Sequence, residues 1–470
     1  MRALGLGLTL VLLLGGCSGP PVADLGRIYD HAARVDDRYR NPVIVIPGIL
    51  GSRLVDADSG STVWGAFAGD FADPGTAEGA RLFALPMEEG RALHELRDGA
   101  RPDGALDRLR VRFLGLPIVM DAYLHILAAL GVGRYRDQLL GELGVVDYGE
   151  DHFTCFQFDY DWRRDLAENA RALHAFVLEK KAYVEAELEA RYGRADEVRF
   201  DLVAHSMGGL LARYYLRYGD AELTDDGPLP DVTWAGAEHV ERAVLVAPPN
   251  AGSAQAVLDL TEGVSFGLLL PRYPPAVIGT LPSAYQLLPR PRHGAVREAG
   301  DAPRPVGDLF APELWERYGW GLADPRQDRV LRRLLPEVRD KRERRRIALD
   351  HLAKCLRRAE RVTAALDAPA PRPAGLELYL FAGDAASTPA VVEVDREGGA
   401  LRVAESAPGD GTVLRSSALM DERVGQEWTP RMRSPIAWTQ VVFLFTDHLG
   451  LTQDPAFTDN VLYLLLEEPR

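Results

Sequence analysis

The most constraining stretch of this chain is one in which an apolar strand turns straight into a helix through a serine. Glu197-Val198-Arg199-Phe200-Asp201-Leu202-Val203 reads as a strand, Ala204-His205-Ser206-Met207-Gly208-Gly209 follows at once, and Leu210 to Tyr218 reads as a helix. So abrupt a turn forces Ser206 into strained backbone dihedrals, and the residues two positions away on either side have to be tiny; Ala204 and Gly208 meet that need. The strain lifts the hydroxyl out of the sheet, while the helix start aims N–H groups at negative charge developing beside it. His205, next to the serine, projects away from it and reads as structural.

The rest of the chain supplies the sheet that such a turn requires. Residues 42–47 form a continuous β-branched run, as a strand buried on both faces does. Further apolar strand candidates are 152–158, 198–203, 241–247, 375–381 and 438–445. Helical patterns lie between them, the clearest from Asp165 to Tyr192 with Leu166, Ala170, Leu173, Val177, Val184 and Leu188 on one face. This alternation predicts an α/β chain with a doubly wound, mostly parallel sheet, the α/β-hydrolase arrangement. It breaks between 253 and 372, a proline-rich segment with no clear strand and helical runs at 308–319 and 326–366, the second interrupted at Pro336. The expected organisation is a core in two parts, 37–252 and 373–470, with a mainly helical cap inserted at 253–372.

A serine needs a base before it becomes a nucleophile, and in this architecture the partners follow in the order acid, then histidine. Four histidines follow Ser206: His239, His293, His351 and His448. His239 precedes a strand and the next two fall in the cap, whereas His448 comes just after the strand-like Trp438 to Phe445, before the final helix Pro455 to Leu466. Two acids compete to orient it. Asp384 follows strand 375–381; Asp410 sits in the tight Gly409-Asp410-Gly411-Thr412-Val413 loop after a hairpin (391–394 and 401–404), and the glycine-flanked loop favours it. Two backbone donors complete the arrangement, Met207 after the serine and Ile49 in the Pro47-Gly48-Ile49-Leu50-Gly51 loop.

The formal net charge of −15 and the 47% hydrophobic content describe a folded, acidic protein and argue against a nucleic-acid partner, whose phosphates it would repel. Three cysteines make no disulfide framework. Ala3 to Gly16 is an apolar run after Met1-Arg2, ending in Leu14-Gly15-Gly16-Cys17, which resembles the processing box of bacterial lipoproteins. The expectation is a signal peptide at 1–16, a tether at 17–36 lipidated at Cys17, and an exported, outer-membrane-anchored protein. Cys155 and Cys355 read as buried thiols rather than metal ligands, and no metal or cofactor is expected. Residues 331–361 hold twelve Lys/Arg against five Asp/Glu, a net of +7, read as a solvated helix face laced with ion pairs, with contact to anionic headgroups as the alternative.

Six segments together resemble the lecithin:cholesterol acyltransferase family, which includes lysosomal phospholipase A2. They are residues 42–54, Tyr160-Asp161-Trp162-Arg163, Ala204 to Gly209, Leu281-Pro282-Ser283-Ala284-Tyr285-Gln286-Leu287-Leu288-Pro289, Gly409 to Val413, and Asp447-His448-Leu449. The resemblance implies a catalytic Ser206, Asp410 and His448, backbone donors at Ile49 and Met207, and a glycerophospholipid or neutral-lipid ester as acyl donor. It also implies that Trp64 is a lid-loop tryptophan in contact with lipid and that Tyr160 and Trp162 shape the pocket wall. The chain departs from the animal members in having no cysteine near Trp64 to staple the lid loop. The implied activity is acyl transfer from a lipid ester to an alcohol or to water, and the largely apolar 264–270 stretch hints at a dry site that favours the alcohol. The alternatives are a carboxylesterase acting on soluble esters and a lipid-binding lipoprotein without turnover.

Overall fold

The computed structural model describes residues 23–35, 40–65, 72–105, 109–113, 116–120, 124–193, 197–265, 271–300 and 304–469. The expected signal peptide and Cys17 lie outside the described residues, as do 266–270 of the apolar stretch.

Each of the six strand candidates enters one sheet: β1 (Val43–Ile46), β2 (Cys155–Gln157), β3 (Phe200–His205), β4 (Val240–Val246), β5 (Glu377–Gly383) and β6 (Gln440–Leu444). Their order across the sheet is β6-β5-β4-β3-β1-β2, and every pairing is parallel. This is the α/β-hydrolase arrangement, doubly wound with helices on both faces. The central strands read as unbroken apolar runs because both of their faces are covered: β1 and β3 are buried at every position.

Alternation along each strand sends neighbours to opposite layers. On one face Val43, Val45, Val203, Val244 and Phe381 pack against helix α5 (Pro455–Leu466) and the helix Leu124–Val132. On the other, Ile44, Leu202, Ala204, Ala243 and Leu245 pack with helices α1 (Leu166–Tyr192), α2 (Met207–Tyr218) and α4 (Lys341–Asp367). Helix α2 is buried along its whole length, although it carries two arginines. Those cations are used at the C-terminal end of α4: Arg213 donates to Leu366 O at 3.0 Å, Arg217 donates to Ala368 O, and the Tyr218 hydroxyl donates to Ala365 O at 2.8 Å.

The 253–372 segment is mainly helical, with α3 (Ala254–Glu262) and α4 its longer elements, and α4 begins after Pro336 at an Asp340 N-cap. It does contain strand, contrary to the expectation. Val264–Ser265 pairs with Arg272–Tyr273, and Val296–Glu298 lies parallel to Ala386–Val394 of the hairpin that leads to Asp410. Pieces of two or three residues carry no readable alternation, and a parallel partner almost a hundred residues away leaves no local mark. The segment is tied to the core by buried polar contacts. Gln286 accepts from Leu166 N at 3.0 Å and donates to Asp165 at 2.6 Å, and Arg358 of α4 reaches the other Asp165 oxygen at 2.6 Å. Other cations of α4 pair nearby: Arg344 with Asp328 and Lys354 with Asp350 within the segment, Arg346 with Glu89 at the surface, and Arg361 donates to Gly227 O.

Candidate active site

Ser206 sits between β3 and α2 with φ 54° and ψ −126°, a conformation an L-residue holds only when its surroundings impose it. Its N–H donates to Val246 O at 2.7 Å, which pins the turn to β4. A Cβ on Gly208 would lie 2.4 Å from Pro47 O, and one on Gly48 would lie 2.8 Å from the Ser206 Cβ. The turn and the 47–51 loop therefore pack backbone to backbone, and glycine is the residue that permits it. Ile49 lines the cavity in front of the serine, and Met207 opens α2. Ile49 thus shares a cavity with Ser206, and Met207 is the residue that follows the serine at the positive end of a helix dipole.

His448 lies in the loop after β6, and its Nε2 is 3.0 Å from Ser206 Oγ. Its Nδ1 is 2.8 Å from Asp410 Oδ2. The other Asp410 oxygen accepts the N–H groups of Thr412 (2.9 Å) and Val413 (2.7 Å), and the His448 N–H donates to Asp410 O at 2.9 Å. Asp410 is only 2% exposed, and burial alone would raise its pKa. The hydrogen bond and charge of His448, with the Val413 and Thr412 amides, outweigh burial and hold the carboxyl below its ordinary value. An ionised acceptor of this kind fixes the imidazole with its proton on Nδ1, leaving Nε2 free to accept from the serine.

The competing acid is elsewhere. Asp384 lies 3.5 Å from Arg415, and its backbone N–H donates to Leu444 O. The other three histidines also have separate surroundings: His351 contacts Thr280 O at 3.0 Å, His293 contacts Glu422 at 3.2 Å, and His239 ends a short helical turn before β4. His205 is more involved than its expected structural role implied. Its ring centroid lies 4.8 Å from that of His448, the planes tilted at 47°, and its Nε2 lies 3.1 Å from His448 O. Burial, helped by the neighbouring imidazole, depresses its pKa to about 3. The ring is therefore neutral, and its Nε2–H donates to the His448 carbonyl, bracing the loop that carries His448.

The serine opens on a cavity of about 400 Å³ with a mostly apolar wall, formed by the 49–51 loop, α3, the 278–287 stretch, Thr412 and Val413. Trp64 and Trp162 line it; Tyr160 does not, which corrects its expected place in the pocket wall. Trp64 also departs from the lid-loop expectation. It ends a short strand, Thr62–Trp64, is buried, and packs edge-on against Phe83, Trp162 and Tyr273. The three aromatics share a role the sequence did not reveal. Trp64 Nε1 donates to Leu50 O (2.8 Å), the Tyr160 hydroxyl to Pro47 O (2.8 Å) and Trp162 Nε1 to Ser52 O (3.0 Å). Together they brace the loop beside Ser206, in which Leu50 is held at φ 64°. The Asp161–Arg163 half of the motif is structural: Arg163 is fully buried, paired with Asp161 and Asp98, and donates to Phe83 O. Cys155 and Cys355 are free and buried, as expected. Among the described residues, no group of His, Cys, Asp or Glu side chains is placed to hold a metal ion.

Ser206, His448 and Asp410 thus form a hydrogen-bonded chain in the segments that follow parallel strands of the sheet. The family model for lecithin:cholesterol acyltransferase matches residues 129–296, a stretch that carries the Tyr-Asp-Trp-Arg, serine-turn and 281–289 motifs. The family resemblance seen in the sequence holds over that part of the chain, and it supports lipid acyl-hydrolase or acyltransferase chemistry. Among solved structures, the crystal structure of the Tle4–Tli4 complex is similar with a TM-score of 0.54 at 15% identity, covering 91% of this chain and 98% of that one; the likeness is one of fold. Phospholipase PlaB from Legionella pneumophila has a TM-score of 0.21 at 13% identity, over 53% of this chain and 34% of that one. Lipase 1 from Pelosinus fermentans has a TM-score of 0.26 at 13% identity, over 58% and 73%. No curated protein sequence matches the chain.

Gly383, at the end of β5, provides a test of the geometry. A Cβ there would lie 2.6 Å from the Asp410 Cβ and 2.8 Å from Thr446 O. Gly383→Ala should displace the Asp410 loop, destabilise the fold by about 1–3 kcal/mol in urea unfolding, and slow organophosphonate labelling of Ser206 by about a hundredfold.

Proposed function

We propose that this protein is a serine-dependent lipid acyl hydrolase or O-acyltransferase. The observation that carries the reading is the chain Ser206–His448–Asp410 with contacts of 3.0 and 2.8 Å, opening on a mostly apolar cavity large enough for an acyl chain. His448 takes the Ser206 proton as Oγ attacks the ester carbonyl of a bound lipid. The Ile49 and Met207 amides and the N-terminal end of α2 hold the oxyanion, the charge on which developing interactions act most strongly. Asp410 keeps the imidazole in its tautomer and stabilises the imidazolium. His448 then hands the proton to the leaving alcohol, and an acyl-serine remains. In the second half His448 deprotonates an acceptor, and the same steps run in reverse.

Water as acceptor gives a lipase or phospholipase; an alcohol gives an acyltransferase. The apolar wall favours the alcohol, because a dry site slows the competing hydrolysis. The same wall speaks against a carboxylesterase for small soluble esters, and the assembled triad speaks against a lipid-binding protein without turnover. The test is incubation with acyl-labelled phospholipid and glyceride, with and without candidate alcohols. Labelled fatty acid or a new labelled ester is expected, and Ser206→Ala should lower turnover by about 10⁵–10⁶-fold. Free fatty acid as the sole product would reject transfer, and equal turnover by Ser206→Ala would reject the mechanism.

The leader reading adds export and anchoring through acylated Cys17, which would keep the enzyme at a membrane where its substrates are. Metabolic labelling with an alkyne fatty acid should mark the wild type and leave Cys17→Ser unmarked. Equal labelling of the two would remove the anchor from this account.

A further inference from the structure

Helix α3 places two polar side chains, Gln255 and Asp259, on the wall of the cavity that Ser206 opens on. They lie one helical turn apart, and Gln255 Nε2 donates to Asp259 Oδ1 at 2.8 Å. The other Asp259 oxygen has no hydrogen-bond partner, and no cation lies within salt-bridge distance, among the described residues. Burial pushes the Asp259 pKa up to about 6; the Gln255 hydrogen bond opposes this, and the like charge of Glu262 adds to it. The carboxyl is therefore mainly ionised at neutral pH and accepts hydrogen bonds, with a protonated fraction that grows as the pH falls toward 6. The other oxygen is open to the cavity that Asp259 lines, where the donor of a bound molecule can complete its hydrogen bonds.

The chemistry of the wall narrows what that molecule is. A hydroxyl or an ammonium group could meet the open oxygen. The ammonium of a zwitterionic phospholipid brings a phosphate with it, only an ethylene link away. Among the described residues lining the cavity there is no lysine or arginine to receive a phosphate, and an ionised Asp259 would repel one. An uncharged lipid with a free hydroxyl meets no such penalty.

We infer that Asp259, braced by Gln255, is a specificity-determining residue that receives the free hydroxyl of an uncharged glyceride and turns phosphate-bearing lipids away from the cavity. The inference rests on the acyl-transfer reading of Ser206 and selects the acyl donor within it. Asp259 acts on binding, so its removal shows in KM more than in kcat.

The experiment compares three lipids in mixed micelles: a diacylglycerol, its methyl ether at the free hydroxyl, and phosphatidylethanolamine with the same acyl chains. Wild-type protein should turn over the diacylglycerol at least about tenfold better, in kcat/KM, than either of the others. Asp259→Leu should lose the preference for the free hydroxyl over the ether, chiefly through KM. Asp259→Asn keeps hydrogen-bonding capacity without charge, so it should keep that preference and gain activity on phosphatidylethanolamine. It also guards against Asp259→Leu failing to fold. Equal use of diacylglycerol and ether by the wild type, preference for phosphatidylethanolamine, or Asp259→Asn losing hydroxyl selectivity would each overturn the inference. Fluorophosphonate labelling of the wild type runs alongside. Labelling without the preference overturns the substrate inference and leaves the acyl-enzyme reading standing; absence of labelling overturns both.

Discussion

The strained backbone at Ser206 is the constraint on which the remaining structure depends. A serine held at φ 54° and ψ −126° has no local reason to stay there, and strain of this kind, of order 1–3 kcal/mol, persists only when its surroundings over-determine it. They do so from every side. The hydrogen bond to Val246 O fixes the turn against β4, the Gly48 and Gly208 contacts fix it against the 47–51 loop, and the burial of all of α2 prevents the helix start from moving. Holding α2 that firmly requires cover over it, and α4 of the inserted segment supplies it. Its C-terminal carbonyls accept Arg213, Arg217 and Tyr218. The insertion is thus part of what holds the serine, as well as a wall of the cavity.

The same economy of contacts appears around the neighbouring loop. Trp64, Tyr160 and Trp162 come from two separate parts of the chain, and each donates one hydrogen bond into the 47–52 backbone. Two of the three also line the cavity, so its wall and the frame that holds the Ile49 loop share side chains. On the other side of the serine, the Asp410 and His448 loops are joined twice, by their side chains and by the His448 N–H to Asp410 O bond, and His205 supports the His448 carbonyl. Side chains held in this way need little reorganisation for the proton transfers of the proposed mechanism.

Much of this was legible in the sequence, for identifiable reasons. Strands buried on both faces, such as β1 and β3, read as unbroken apolar runs, and all six strand candidates entered the sheet, the partly exposed edge strand β6 included. The serine turn restricts its neighbours so tightly that Ala204 and Gly208 announce it. The place of His448 after the last strand and the glycine-flanked loop at Asp410 singled out those two residues, which the structure joins to one another, with His448 in turn within hydrogen-bonding distance of Ser206. What escaped was whatever depends on direction or distant pairing. Trp64 was expected on a lid loop; it lines the cavity, but from the end of a short strand, with its indole N–H reaching back to Leu50 O. Tyr160 looked equally suited to a pocket wall and points at Pro47. The two- and three-residue strands of the 253–372 segment are too short to show a period. Gln255 and Asp259 have the one-turn spacing of an ordinary solvated pair; the apolar residues around them on α3 were the available signal, and only tertiary packing shows that the pair faces inward.

The central proposal is that Ser206 carries an acyl group from a lipid ester to an alcohol or to water. Rapid quenching of the enzyme with an acyl-labelled lipid substrate, followed by peptide mass spectrometry, tests it most directly. The account predicts a transient mass increase equal to the acyl chain on the peptide containing Ser206, which disappears as product forms and never accumulates in Ser206→Ala. Turnover of the lipid with no acyl adduct on that peptide, or with an adduct on a different residue, would contradict it.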